Sequence, residues 1–446
     1  MPTPMIRFLL FLSLWSICLL PEGMQAQGLK LDDEAYSDVL LQPSYGQKSD
    51  AEDNALRVDL RPYCPPVQNQ GRTATCTGWA VGYAALSIEH AVREEWENNY
   101  NKVSEEAFSA LFVYNQIRET RDGDCGSPSS IEAALQLLQE KGNVKHRDFD
   151  PGGCDRFPSS IDFDKAEEHR IKEFRRLFKL DANEKNKIKS IRKSLARQHP
   201  VIVGMFIKKN FYNQFGQEMY FADRSPIAEA HAMTVVGYDD GRGREGAFLL
   251  MNSWGVNWGD QGFIWMEYET FAELCTRAYE LSLEEPKEIA QQVQRRPTEG
   301  RVEVERIMME DSLVFRPANP LYQNLYYRFP GTVWKVGDLF QIKVSDVTDE
   351  KYLYAFTHDA RGRIKIHFPR KKESSIISSP SALLTLPEIG VAFKLEHPGN
   401  EYICLLFSSD PIPDFERRIK NLQASQKTFP LAFSIYFGDL LFTSST

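Results

Sequence analysis

Apolar residues recur at helical spacing from Cys76 to about Trp96, at Trp79, Ala80, Tyr83, Ala84, Ile88 and Val92, and the run closes on the charged stretch REEWE. That rhythm predicts one amphipathic helix opening at or near Cys76. Residues 103–142 repeat it, broken by a loop around RDGDCGSPSS. Between 162 and 198 the chain is heavily charged but keeps a helical apolar rhythm in EFRRLFKL and IRKSLARQ, which reads as solvated amphipathic helix. After Pro200 the period changes. VIVGMFI, HAMTVVGY, AFLLMNSW and GFIWMEY read as strands, with DDGRG turning between the second and third. A helical first half followed by a sheet-forming second half implies an α+β architecture rather than repeating βαβ units.

Outside this body the texture differs. Residues 27–57 are acidic and polar with little periodicity, and read as an N-terminal extension of a globular stretch spanning 58–283. Residues 284–302 carry Pro286 and Pro297 and read as a linker. Strand signals then resume in DLFQIKVSD, KYLYAFTHD, RIKIHFP, ALLTLPE and EYICLLFSS, which predicts a mainly-β second domain over 303–446. At the start, Arg7 precedes the apolar run FLLFLSLWSICLL, followed by Pro21 and small or polar residues up to Ala26. This is the layout of a secretory signal peptide, residues 1–26, rather than of a spanning helix. The mature chain is therefore expected to be exported, to the periplasm or beyond the cell, with no membrane span.

Composition narrows the function classes. A net charge of −9 over 446 residues argues against nucleic acid as a partner, because such binding needs a dense basic surface. Beyond Cys18 there are six cysteines, too few for a disulfide-built scaffold. No CxxC and no Cys/His pairing has zinc-ligand spacing, so neither a metal nor a cofactor is expected.

The candidate chemistry centres on QNQGRTATCTGWAV. A thiol attacks a carbonyl as thiolate, and a helix N-terminus stabilises that anion through its unsatisfied N–H groups and dipole. Cys76 is placed for this. The oxyanion formed on attack needs fixed donors, and Gln70, six residues earlier with Gly71 allowing a turn between, can supply one beside the Cys76 N–H. His231, opening the apolar strand AHAMTVVGY, is the candidate base, and Asn252 in MNSWGVNWG can orient its ring while Trp254 and Trp258 exclude water.

QNQGRTATC, AHAMTVVGYDD and NSWGVNWGDQGFIWM, in that order, resemble the three blocks of the papain-like cysteine peptidases over about residues 58–283. The resemblance implies a two-lobed fold, one lobe helical and one an antiparallel β lobe, and a protein or peptide substrate. It implies Cys76 as nucleophile, His231 as general base and acid, Asn252 as the orienting residue, Gln70 as oxyanion donor and Trp254 as the cover of the Asn–His contact. CGSPSSIEAAL is similar to the segment that pairs with substrate backbone, so Gly126 and Ser127 join Trp254 as substrate-binding candidates. Thr77 and Gly78 intervene before Trp79, where animal and plant members have tryptophan directly after the nucleophile. Alignment on that tryptophan would put Gly78 at the nucleophile position and make the protein inactive. Alignment on Gln70 keeps Cys76 and is similar to bacterial members. The family's usual first disulfide cannot form, since Thr73 stands at its position. Cys125 with Cys154, and Cys64 with Cys275, are the bridges considered. The extension is too short for a globular inhibitory propeptide, so latency is sought in a contact between the C-terminal domain and the cleft. That domain resembles a bacterial β-rich module of unknown function. Two rivals remain: a papain-fold binding protein without turnover, and another Cys–His acyl transferase.

Overall fold

The computed structural model of the chain describes residues 28–42, 46–47, 55–120, 123–283 and, with short interruptions, 301–437. The proposed signal peptide lies outside the described residues, as does the stretch read as a linker except for its last two positions, which begin a strand. Among the described residues no helix is long and apolar enough to cross a membrane.

A buried helical run starts at Cys76 as expected, with π-helical turns over Gly78–Ala85 continuing into the α-helix Leu86–Arg93. Small residues early in this run have a packing reason. A Cβ at Gly78 would meet the Ala110 carbonyl oxygen at 2.4 Å, and one at Gly82 the Ser109 carbonyl oxygen at 2.7 Å. The helix Ala110–Ile117 thus lies against this run at backbone distance, which is why glycine stands at position 78. The helices Tyr100–Glu106 and Ile131–Lys141 complete the helical readings of this half.

The facing lobe is a sheet with eight strands among the described residues. Ile171–Arg176, Cys275–Leu283, Val201–Lys208, Ile227–Asp239, Ala247–Met251 and Phe263–Glu267 pair antiparallel in that spatial order. Met219–Tyr220 adds in parallel at the far edge, and Arg57–Asp59 pairs with the end of Ile227–Asp239. Apolar residues from both lobes merge in one core that includes Trp79, Tyr83, Met205, Met233, Trp258 and Trp265.

Two expectations are corrected here. The charged stretch 162–198 is helical at Ser160–Glu167 and Glu184–Ala196, but its centre is the edge strand Ile171–Arg176. The helices keep exposed charges such as Lys165, Glu184, Lys185 and Lys189, but the strand's charges are not a solvated face. Arg175 is 1 % exposed and lies 3.7 Å from the equally buried Glu280, which also accepts from Arg197 at 2.8 Å. Local periodicity could not reveal partners a hundred residues away. The acidic extension is likewise ordered: Asp32 caps a short helix, Asp33–Asp38, whose Tyr36 is wholly buried and donates its hydroxyl to the Phe178 carbonyl at 2.7 Å. Cys125 and Cys154 are joined in a disulfide, with Cα atoms 5.8 Å apart. Cys64 and Cys275, by contrast, are both free and buried. Each thiol donates to a carbonyl in its own segment, Leu60 and Arg277 respectively, so the bridge considered between them does not form.

Beyond residue 300 two further sheets appear. One joins Ala382–Leu386, Leu339–Ser345, Arg301–Met309 and Leu313–Ala318. The other has Lys351–His358 at its centre, between Ile364–Phe368 and Tyr402–Ser408. Two helices, Phe415–Ala424 and Phe429–Phe437, that strand patterning did not anticipate bury Phe415, Ile419 and Leu422 against Tyr354 and Phe356.

The extension touches both regions. The Arg176 N–H donates to Leu40 at 2.9 Å and the Gln42 N–H to Arg176 at 2.8 Å, while the Leu41 N–H donates to Lys372 at 2.7 Å and the Ser374 N–H to Leu41 at 2.9 Å. Gly46–Gln47 then pairs with Ala382–Leu386 in the C-terminal sheet.

Candidate active site

The turn ahead of the buried helix is held from two sides. The Gln70 N–H donates to Ser253 at 2.8 Å, Gly71 takes the positive φ of 66° that the turn requires, and the Ala74 N–H donates to Cys125 at 2.7 Å. This delivers Cys76 to the boundary of the two lobes, beside the backbone of Ala232 on the strand Ile227–Asp239. Opposite it, His231 pairs in register with Met205 on the neighbouring strand.

Asn252 follows the strand Ala247–Met251 and lies 2.9 Å from His231 through its Oδ1 and the ring Nε2. The same Oδ1 accepts the Ser253 N–H at 2.8 Å, which identifies it as the oxygen. The imidazole must therefore donate from Nε2, leaving the Nδ1 lone pair for a proton. Trp254 covers the contact with its ring centre 4.8 Å from that of His231. It is itself held by Trp258 at 5.4 Å and by Tyr212, stacked at 5.2 Å. Both members of the pair are 3 % exposed.

Burial sets the protonation states. It pushes the Cys76 thiol up to about 12, against the Ala232 and Thr77 bonds that favour the thiolate. It lowers His231 to about 4, against the Asn252 bond that favours the cation. Both groups are thus neutral near pH 7 in this arrangement, and among the described residues no hydrogen bond joins them. Gln70 lies alongside: its Nε2 donates to the Thr73 carbonyl at 2.7 Å and its Oε1 accepts from the Ser253 hydroxyl at 2.6 Å.

The cover over Cys76 is the chain's own extension. A Cβ at Gly28 would stand 2.6 Å from the Cys76 sulfur and 2.9 Å from the Ala74 carbonyl oxygen. The Ser129 N–H donates to Gly28 at 3.1 Å and the Lys30 N–H to Ser129 at 2.9 Å, a parallel pairing. Leu29 enters an apolar recess whose wall is backed by Ile131 and Gly204; a Cβ at Gly204 would come within 3.1 Å of it.

The sequence reading brought Cys76, Gln70, His231, Asn252 and Trp254 to one place, and the structure does bring them together. Gly126 and Ser127 are elsewhere in the same loop. The Gly126 N–H donates to Asp124, and Ser127 accepts from Thr120 and Tyr114, so both brace the loop while Ser129 makes the backbone pairing. Ser129 was missed although it lies two residues further along the same edge, the period at which an extended segment repeats its outward face. Glu229 was missed as well. It accepts the Tyr212 hydroxyl, and burial raises its carboxyl.

A cysteine at a helix start, an amide-oriented imidazole and a nearby glutamine amide form a constellation suited to acyl transfer. Residues 55–283, just over half of the chain, match the family model for papain family cysteine protease. Among curated proteins the chain is similar to an uncharacterized peptidase C1-like protein of Acanthamoeba polyphaga mimivirus, 24 % identical over 213 residues, covering 46 % of this chain and 65 % of that one. It is also similar to a KDEL-tailed cysteine endopeptidase of Arabidopsis thaliana, 23 % identical over 211 residues, covering 46 % of this chain and 51 % of the relative. The chain thus spans between half and two thirds of the length of these relatives. Among solved structures it is similar to xylellain, a cysteine protease from Xylella fastidiosa, with a TM-score of 0.47, 22 % identity, and coverage of 58 % of this chain and 98 % of that one. The match over its first globular region shows that the chain belongs to the papain family of cysteine proteases.

Proposed function

We propose that the protein is an exported cysteine peptidase that hydrolyses peptide bonds through Cys76, His231 and Asn252, with residues 58–283 as the peptidase unit. The observation that carries this reading is the His231–Asn252 bond of 2.9 Å under Trp254, because it fixes the tautomer with Nδ1 free to accept the thiol proton. In the first step that proton passes to His231 as sulfur attacks the peptide carbonyl. The oxyanion is held by the Cys76 N–H and by Gln70, whose Nε2 turns from the Thr73 carbonyl toward the substrate. The imidazolium then protonates the leaving amine, and a thioester remains. In the second step His231 takes a proton from water, the hydroxide attacks the thioester, and the thiol is regenerated. Close packing at Gly78 supports the alignment on Gln70, since a nucleophile is needed at Cys76 and a side chain at 78 would not fit.

The test is labelling of the purified mature chain with an epoxide directed at thiol peptidases, followed by mapping of the modified residue. Modification confined to Cys76, with peptide hydrolysis lost in parallel, is expected. The reading fails if hydrolysis persists after Cys76→Ala. A second reading, a papain-fold binding protein without turnover, is favoured by one observation: Cys76 is 0 % exposed, with its thiol held neutral. Failure of the thiol to react after its cover is removed would establish it.

A further inference from the structure

We propose that Glu229 makes the peptidase select substrates with a lysine or arginine directly after the scissile bond, its carboxyl group being held by Tyr212 on the leaving-group side of the cleft. The proposal rests on the peptidase reading of the site and adds a substrate class to it.

The strand Ile227–Asp239 sets the placement. Met205, Phe206 and Ile207 pair in unbroken register with His231, Ala230 and Glu229, so residues here alternate between the two faces of the sheet. Ala230 and Ala232 lie against the apolar cluster that contains Cys76, Leu29 and Ile131, whereas His231 meets Trp254. Glu229 shares the face of His231, two residues and therefore about 7 Å along the strand. In the proposed reaction His231 protonates the leaving amine, so the departing segment begins on this face. Its first side chain comes within reach of Glu229.

The carboxyl group is fixed in place. It accepts the Tyr212 hydroxyl, Tyr212 is stacked on Trp254 at 5.2 Å, and Trp254 covers His231 at 4.8 Å. Its second oxygen, Oε2, is buried and has no hydrogen-bond partner among the described residues. Other buried carboxylates of this region each have a basic partner: Glu280 has Arg197, Glu132 has Arg277, Glu173 has Arg175 and Glu89 has His199. Glu229 has no such partner among the described residues, although an uncompensated carboxylate costs stability in proportion to its burial. A substrate ammonium or guanidinium supplies both the missing donor and the missing charge. The charge of Glu229 also opposes the Cys76 thiolate, and a cation arriving with the substrate offsets that opposition as the reactive complex forms. An acidic residue at the same substrate position meets repulsion instead.

The experiment digests a randomised peptide library with the mature wild-type chain and with Glu229→Gln and Glu229→Lys, and maps the cleaved bonds by mass spectrometry. Labelling of Cys76 by the thiol-directed epoxide checks that each variant keeps its site. Gln retains an acceptor for Tyr212 and removes only the charge, which separates recognition from positioning. Wild type is expected to cleave before Lys or Arg at least about tenfold more often than before Asp or Glu. Glu229→Gln should reduce that ratio to about twofold or less, and Glu229→Lys should invert it, with the same order in kcat/KM for purified peptides that differ only at this residue. Wild-type cleavage indifferent to the residue after the bond overturns the assignment and leaves the peptidase reading standing. So does an unchanged ratio in Glu229→Gln, even with a uniform loss of rate, which makes Glu229 a positioning residue for Tyr212 and Trp254. A basic preference found before the bond rather than after it overturns the placement on the leaving-group side. Absence of hydrolysis across the library, whether or not Cys76 is labelled, overturns the peptidase reading and the Glu229 assignment with it.

Discussion

Cys76 and Cys275 are both fully buried, and burial pushes both thiols up to about 12. Their surroundings differ in kind. Cys275 opens the strand Cys275–Leu283, with Met205 and Leu274 in the same apolar core, and its sulfur donates to the Arg277 carbonyl. Nothing that buries it can leave without unfolding the lobe. Cys76 is closed over by the backbone of Gly28, a residue outside both lobes. The same shift therefore describes a thiol enclosed by its own lobe in one case and a thiol covered by a separate segment in the other. A raised thiol value carries functional meaning only once the covering atoms have been named.

The comparison breaks most directly at the sulfur itself. Cys76→Ala is expected to abolish epoxide modification and peptide turnover together, as measured by mass spectrometry and a fluorogenic peptide. Cys275→Ala should leave both unchanged and lower stability by about 1 kcal/mol in denaturant unfolding, the usual cost of removing about one buried atom. His231→Ala comes next, with a loss of about 10²–10⁴-fold in turnover expected for removal of the general base. Gln70→Ala should cost about 10²–10³-fold in kcat with little change in KM, since the amide acts on charge that exists only in the transition state.

An effect on stability rather than turnover sharpens the other side of the comparison. Glu280 lies on the Cys275 strand, where burial alone would raise its carboxyl, but Arg197, Arg175 and His199 outweigh that and hold it at about 2. A carboxylate lowered from its ordinary 4.5 stabilises the fold above that value, and the contribution is lost as pH falls through 4.5 towards 2. The two values imply about 3 kcal/mol at neutral pH. Glu280→Gln should lower stability by about that much at pH 7, with the difference from wild type shrinking on acidification. Thermal unfolding followed from pH 7 to 2 measures it. A constant difference across that range would show that Glu280 is not held by its arginines.

Much of the site was legible because its determinants are local. The six-residue spacing from Gln70 to Cys76 and the run NSWGVNWG each specify a turn or strand end whose geometry depends on near neighbours. The strand containing His231 was equally visible, since Val235, Val236 and Tyr238 are buried within it. What escaped was long-range. EFRR has the texture of a solvated helix until Glu280 is placed beside Arg175, and the acidic extension has no periodicity because a single aromatic, Tyr36, anchors it. Ser129 was overlooked in favour of Gly126 and Ser127 because composition marks a loop without saying which of its residues faces the cleft. The two C-terminal helices are short and follow a long series of strands, so periodicity there was judged by its neighbours.

The grip on Leu41 also orders events during synthesis. Asp38 and Lys372, which pair across the junction, are 334 residues apart, so residues 28–42 leave the ribosome long before the C-terminal residues that hold them. The lobes that carry Cys76 and His231 are complete once the strand Cys275–Leu283 has emerged. Local contacts close before such distant ones, because loop closure must come first. A nascent chain therefore passes through an interval in which both lobes are assembled and Leu41 lacks its bonds to Lys372 and Ser374, while the contacts of residues 28–42 with Ser129, Arg277 and Arg176 can already form. Translation from residue 283 to 374, with co-translational export if residues 1–26 act as a signal, sets how long that interval lasts.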